Sequence, residues 1–196
     1  MKLIHNTKKA AMFGLDARIA LAIFGALSVI SGAALYSAIT SANVTQRLTQ
    51  IKEVEKAIEQ YYLDTGSMLP FSTTIPTADL SAYALVEKPA GVTGWNGPYV
   101  SIPKHPTGDY LLNNDLRIAI TFSRTDDFST SATCLRSSPD CAVYVLYITE
   151  SKYSNDYEKT LDGNDTADDI GNFRVRGSHQ YFKTSIPFDK STSPNA

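Results

Sequence analysis

The chain has 196 residues, with 18 basic and 20 acidic side chains and a formal net charge of −2. A balance this mild, with no basic stripe interleaved with aromatics, gives nucleic acid no footing, and no nucleic-acid partner is expected. About 130 residues remain after a long N-terminal stretch, enough for one compact domain with its own core.

Residues 1–11 form a short leader carrying Lys2, Lys8 and Lys9, a targeting pattern to be set apart from the fold. From Ile19 to Ile39 there are 21 residues without a charge. As a helix rising about 1.5 Å per residue, they would cross a hydrocarbon core of about 30 Å. Ser28, Ser31, Tyr36 and Ser37 can bond within that helix or to a neighbouring one. Asp16 and Arg18 stand just ahead of the apolar run. A cleaved signal peptide has a shorter run and a small-x-small site. Ser37-Ala38-Ile39 lacks that form, and only Ser41-Ala42 comes near it. The basic leader orients the span, so that the body lies outside the cytoplasmic membrane.

Past Ile39 no Pro or Gly appears until Gly66, so the helix is expected to continue. Val44, Leu48, Ile51, Val54, Ile58 and Tyr61 recur at steps of three and four, an apolar stripe on an otherwise polar helix. The expected organisation is a leader (1–11), a membrane and assembly half-helix (12–39), an amphipathic half-helix (40–66) and a globular region (67–196). Gly66, with Asp64 before it and Pro70 after, marks the stop. Thr77 caps a short expected helix from about Ala78 to Val86. Trp95, the only Trp, stands in Gly94-Trp95-Asn96-Gly97-Pro98-Tyr99, where a loop anchor is favoured over a ligand contact. Strands are expected at Tyr110–Asn113, Arg117–Phe122, Ala142–Thr149 and Asn172–Arg176, with a loose tail from Ser185. Three or four antiparallel strands packed on the amphipathic half-helix give an α+β fold.

Cys134 and Cys141 flank a turn-rich stretch inside the Ser123–Pro139 connection. In an exported chain an even cysteine count favours a disulfide over two unpaired thiols. The stretch from Leu161 to Asn172 places Asp162, Asp165, Asp168 and Asp169 within eight residues. Such carboxylates repel one another, which a hard cation with oxygen ligands would relieve; a solvated acidic turn is the equal alternative on residues alone. Catalysis has little support, since His105 and His179 lack a nucleophile in a recognisable setting.

The segment Met12-Phe13-Gly14-Leu15-Asp16-Ala17-Arg18, followed by Ile19-Ala20-Leu21-Ala22-Ile23-Phe24-Gly25, resembles the class III signal of type IV pilins and of the pseudopilins of type II secretion. So does the helix end at Tyr61–Pro70, and Gly94–Pro106 is similar to the segment that major pseudopilins carry before their sheet. The resemblance implies a pilin-like fold, with a long helix on a small antiparallel sheet. It implies cleavage by a prepilin peptidase between Ala11 and Met12, methylation of the new amine, and an assembly role for Asp16. The family usually has Gly, Phe and Glu where this chain has Ala11, Met12 and Asp16. The late acidic loop, ending Asp168-Asp169-Ile170 with Asn172-Phe173, is similar to the calcium loop of major pseudopilins. That implies calcium held by Leu161, through its carbonyl, and by Asp162, Asp165, Asp168 and Asp169.

A structural subunit of a helical pseudopilus-type homo-oligomer is therefore the leading expectation. Its partners would be other pseudopilins, the inner-membrane secretion platform and membrane lipid. It would be a single-pass inner-membrane protein with its C-terminal domain in the periplasm. A type IV pilin or minor pilin, serving adhesion, motility or DNA uptake, is the second reading. A membrane-anchored exported enzyme or binding domain is the third.

Overall fold

The computed structural model describes residues 7–72, 79–106, 108–113, 116–125, 134, 141–148, 153–163 and 171–187. One helix, α1, runs Thr7–Thr65. The chain divides into two compact units, Met1–Asn43 and Val44–Ala196. In the first, apolar side chains such as Leu21, Phe24 and Val29 are all but bare, each at least 70% exposed. Ser28 Oγ donates to the Phe24 carbonyl at 2.8 Å, so its hydroxyl is satisfied without leaving the helix. Among the described residues this helix alone is long and apolar enough to cross a membrane.

In the second unit the rest of α1 buries the stripe read from the sequence. Val44, Ile51, Val54, Ile58 and Tyr61 are buried, with Leu48 packed beside them. The helix stops as its chemistry dictates. Gly66 adopts φ +69° and its N–H donates to the Tyr62 carbonyl at 2.8 Å, a left-handed cap that a Cβ would strain.

Among the described residues six antiparallel strands form one sheet: β1 (Asp79–Leu80), β2 (Leu111–Asn113), β3 (Leu116–Arg124), β4 (Cys141–Ile148), β5 (Phe173–Arg176) and β6 (His179–Pro187). Their order is β1-β3-β4-β6-β5, with β2 also paired to β3. This is the expected α+β, pilin-like arrangement of a long helix and a small antiparallel sheet. Ile118, Ile120, Phe122, Val143, Val145 and Tyr147 join the α1 stripe in one core. Ala119, Ala142, Tyr144 and Leu146 make a second cluster on the opposite face. Burial on both faces explains why β3 and β4 read as near-continuous apolar runs.

Three expectations need correction. The helix expected over 78–86 is instead β1 followed by a short 3-10 turn, Ala82–Leu85. Leu80 pairs with Ile120 and bridges to Phe71, and the Ser81 N–H donates to the Pro70 carbonyl, so sheet pairing outweighs local helix propensity. Thr77 lies outside the described residues. The tail from Ser185 is not loose at its start, because β6 extends to Pro187. Two of its inward positions are polar and hydrogen-bonded: Gln180 Nε2 donates to Ser154 Oγ at 3.0 Å and Thr184 Oγ1 to the Val143 carbonyl at 2.8 Å. Third, a helix that the sequence analysis did not anticipate, α2, spans Ser154–Leu161. Tyr157 is its one buried residue, packing on Phe182 and Phe173 at centroid distances of 5.3 and 5.4 Å.

Where β6 outruns β5, a helix residue finishes the edge. Glu55 accepts the Ser185 N–H at 2.5 Å and its hydroxyl at 2.6 Å, occupying a donor that an edge strand would otherwise offer to another chain.

Candidate functional site

The segment after Gly94 docks on the end of α1 through aromatics. Trp95 Nε1 donates to the Ala84 carbonyl at 2.8 Å, and its ring meets Tyr99 edge to face at 5.7 Å. Tyr99 in turn meets Tyr61 at 5.9 Å and donates its hydroxyl to Asp64 at 2.9 Å. Burial, with the Asp64 carboxylate adding to it, raises the Tyr99 phenol above its usual value. Gly94 has φ +78°, and a Cβ there would stand 2.3 Å from the Asp64 carbonyl oxygen. Only glycine lets the two backbones approach this closely. Trp95 is thus the loop anchor expected of it, half-buried against the core. The peptide Gly97–Pro98 is cis.

Cys134 and Cys141 form a disulfide, with Cα atoms 5.9 Å apart. Cys134 is buried in the main core, so the bridge ties the connection between β3 and β4 to the helix-facing side of the sheet.

The acidic stretch begins where α2 ends. Leu161 is its last residue and packs against the core, and Gly163 takes φ +84° to turn the chain. The Asp162 carboxylate accepts the Asn172 N–H through Oδ1 and the Phe173 N–H through Oδ2, each at 2.7 Å. Gly171, at φ +125°, lies so close that a Cβ would stand 2.6 Å from that carboxylate. Asp162 therefore clasps the two ends of the stretch and also takes the outward N–H of edge strand β5. Residue type alone did not show this clasp; the two glycines nine and one positions from Asp162 were the available signal.

Asp165, Asp168 and Asp169 lie outside the described residues. Among the described residues no group of three or more His, Cys, Asp or Glu side chains comes together. The fit to calcium is judged at Asp162. Two neutral N–H donors leave its charge in place and one lone pair free on each oxygen, so it retains the hard anionic oxygen that calcium takes.

At the other end of the chain, Ala11 and Met12 fall within α1. Asp16 and Arg18 are exposed, and among the described residues no ion pair joins them. Two residues apart on a helix, they point to different sides.

A family model, the Type II secretion system (T2SS), protein G, matches residues 34–115. Those residues run from the apolar part of α1 through the helix stop and the Trp95 anchor to just past β2. No curated protein and no solved structure matches the chain.

Proposed function

We propose that this chain is a filament-forming subunit of a periplasmic pseudopilus, on the ground that the family model of type II secretion system protein G matches residues 34–115. That family is structural rather than enzymatic, and the family match is the observation that carries the reading. The geometry supports it: the matched residues build the helix end and the aromatic anchor that fixes the pre-sheet segment to it.

In this reading a prepilin peptidase cuts between Ala11 and Met12, and the new amine is methylated. The apolar part of α1 holds the subunit in the inner membrane, with the domain from Val44 in the periplasm. Asp16, costly in lipid unless paired, meets the freed amine of a neighbouring Met12 and sets the axial register. Other pseudopilins and the inner-membrane platform complete the assembly. Calcium is held by the Leu161 carbonyl and by Asp162, Asp165, Asp168 and Asp169. When bound it neutralises their mutual repulsion, while the Asp162 clasp keeps both ends of the stretch on the sheet.

Intact-mass analysis of the membrane form tests processing; a mature chain that starts after Ala42, or full-length chains in filaments, would reject it. Asp16→Ala should insert normally and assemble poorly, and wild-type filament yield would reject the register role. For calcium, the full chain in detergent should melt higher in millimolar calcium than in chelator, as mass action requires. An unchanged melt with no bound metal by calorimetry would return the stretch to a solvated turn. A type IV pilin would share the helix and sheet, and loss of secretion rather than of adhesion on deletion separates the two.

A further inference from the structure

The sheet face turned away from α1 is basic. Side chains at directly paired positions of an antiparallel sheet share a face, so register alone assigns it. Arg117 pairs with Ile148, Ile148 with His179 and His179 with Arg176, forming one rung across four strands. The next rung is Ala119, Leu146, Tyr181 and Arg174, and the third is Asp79, Thr121, Tyr144 and Lys183. Asp79, at the β1 end of the third rung, is the one acid among these positions, and the first two rungs hold none. Between Val44 and Ala196 the sequence holds 14 Lys and Arg against 19 Asp and Glu. This face carries four of those cations and one of the acids, which leaves ten cations against 18 acids over the rest of the unit.

The interior of the face is already closed: Ala119, Tyr144 and Leu146 are buried, and Arg174 donates to the carbonyls of Arg124 and Thr125 at 3.5 and 2.7 Å. Its rim is open. Arg117 and Lys183 are exposed, and Ile148 and His179 are half-buried. The first rung spans about 14 Å at the usual strand spacing. It is a strip with an apolar middle and cationic ends, the layout of a small polar-rimmed contact.

We propose that this strip is an interface for a second copy of the chain, which meets it with an acidic part of its own surface. Charge complementarity selects that occupant: once the strip is set aside, what remains of a neighbouring unit is strongly acidic. Contact between two different faces of identical subunits is heterologous, and repeated it generates an open helical filament. The inference rests on the filament reading above and gives it a surface outside the membrane.

The test uses the full chain in its native membrane. Arg117→Glu with Lys183→Glu should lower the assembled fraction about tenfold, as reversing rim charges at a steered contact does, and should leave the melt unchanged because both residues are exposed. A photo-crosslinker at position 117, with Lys183 intact, should give a dimer of the chain. Filaments of the reversed variant at wild-type yield would overturn the proposal alone. So would crosslinks from wild-type filaments that go only to lipid or to another protein. Wild-type chains that never assemble would overturn the filament reading and this inference together.

Discussion

Asp162 and Phe173, eleven residues apart, are joined by a 2.7 Å hydrogen bond from the Phe173 backbone to the Asp162 carboxylate. The same carboxylate holds the Asn172 N–H at 2.7 Å, so a single side chain fixes where the acidic stretch leaves α2 and where it enters β5. Charge-assisted bonds of this kind are about twice as strong as neutral ones.

Asp162→Ala should therefore destabilise the folded chain by about 2–3 kcal/mol, even in chelator, where no cation contributes. Gly171→Ala should cost about 2 kcal/mol or more, since it forces a Cβ against that carboxylate at a positive φ. Thermal melts in detergent with chelator read both. A melt for either variant equal to wild type would show that the clasp is incidental.

The aromatic anchor predicts a second pair of losses. Trp95→Phe keeps a ring but removes the bond to the Ala84 carbonyl, and should cost about 1–2 kcal/mol. Gly94→Ala should do worse, because its Cβ would stand 2.3 Å from a backbone oxygen of α1 that no side-chain motion can clear. Circular dichroism followed through denaturant unfolding measures both. A Gly94→Ala midpoint above that of Trp95→Phe would contradict the close approach.

Replacing Cys134 and Cys141 together by Ala should lower stability by about 2–3 kcal/mol, the range for a short closed loop, with some added loss from the buried Cys134 site. A reducing agent should reproduce most of the shift in the wild type and none in the variant. Equal melts with and without reductant would show that the bridge adds nothing.

How much of this was legible follows from where burial and periodicity agree. Val44 to Tyr61 was readable because one helical face meets the sheet and every third or fourth residue reports it. The runs around Ile118 and Val145 were readable because burial on both faces leaves them almost wholly apolar, with Thr121 the one non-aromatic polar side chain between Ile118 and Phe122 or along Ala142–Ile148. The Trp95 anchor was legible because a lone Trp beside Gly-Pro-Tyr has few other roles. β6 hid because Gln180 and Thr184 point inward, where pattern reading expects apolar side chains. α2 hid because Tyr157 is its only buried residue, and one residue has no period. Asp162 read as one of four like carboxylates, and its separate role depends on backbone groups ten and eleven residues away. No composition shows that.

The buried tyrosines set the alkaline limit of the fold. Burial raises the phenol of Tyr147 most of all, and it also raises Tyr61, Tyr144 and Tyr157, each against its usual value of 10.0. Around Tyr147, Tyr157 adds to that rise while Arg47 opposes it, and the hydroxyl donates to Gln50 at 3.2 Å. The sign follows from proton counting. Above about pH 10 an unfolded tyrosine releases its proton while the folded one keeps it, so the native state binds more protons and stability falls as pH rises. Below pH 10 both states are protonated and this contribution is fully present. Melts should hold steady from pH 7 to about 9.5 on this account and decline beyond it, with tyrosinate absorbance from the buried set appearing only as the fold is lost. Tyr147→Phe should flatten the alkaline decline, and it should cost about 1 kcal/mol at neutral pH for the lost bond to Gln50. If that variant declines as steeply as wild type above pH 10, Tyr147 is not the group that limits the fold in base.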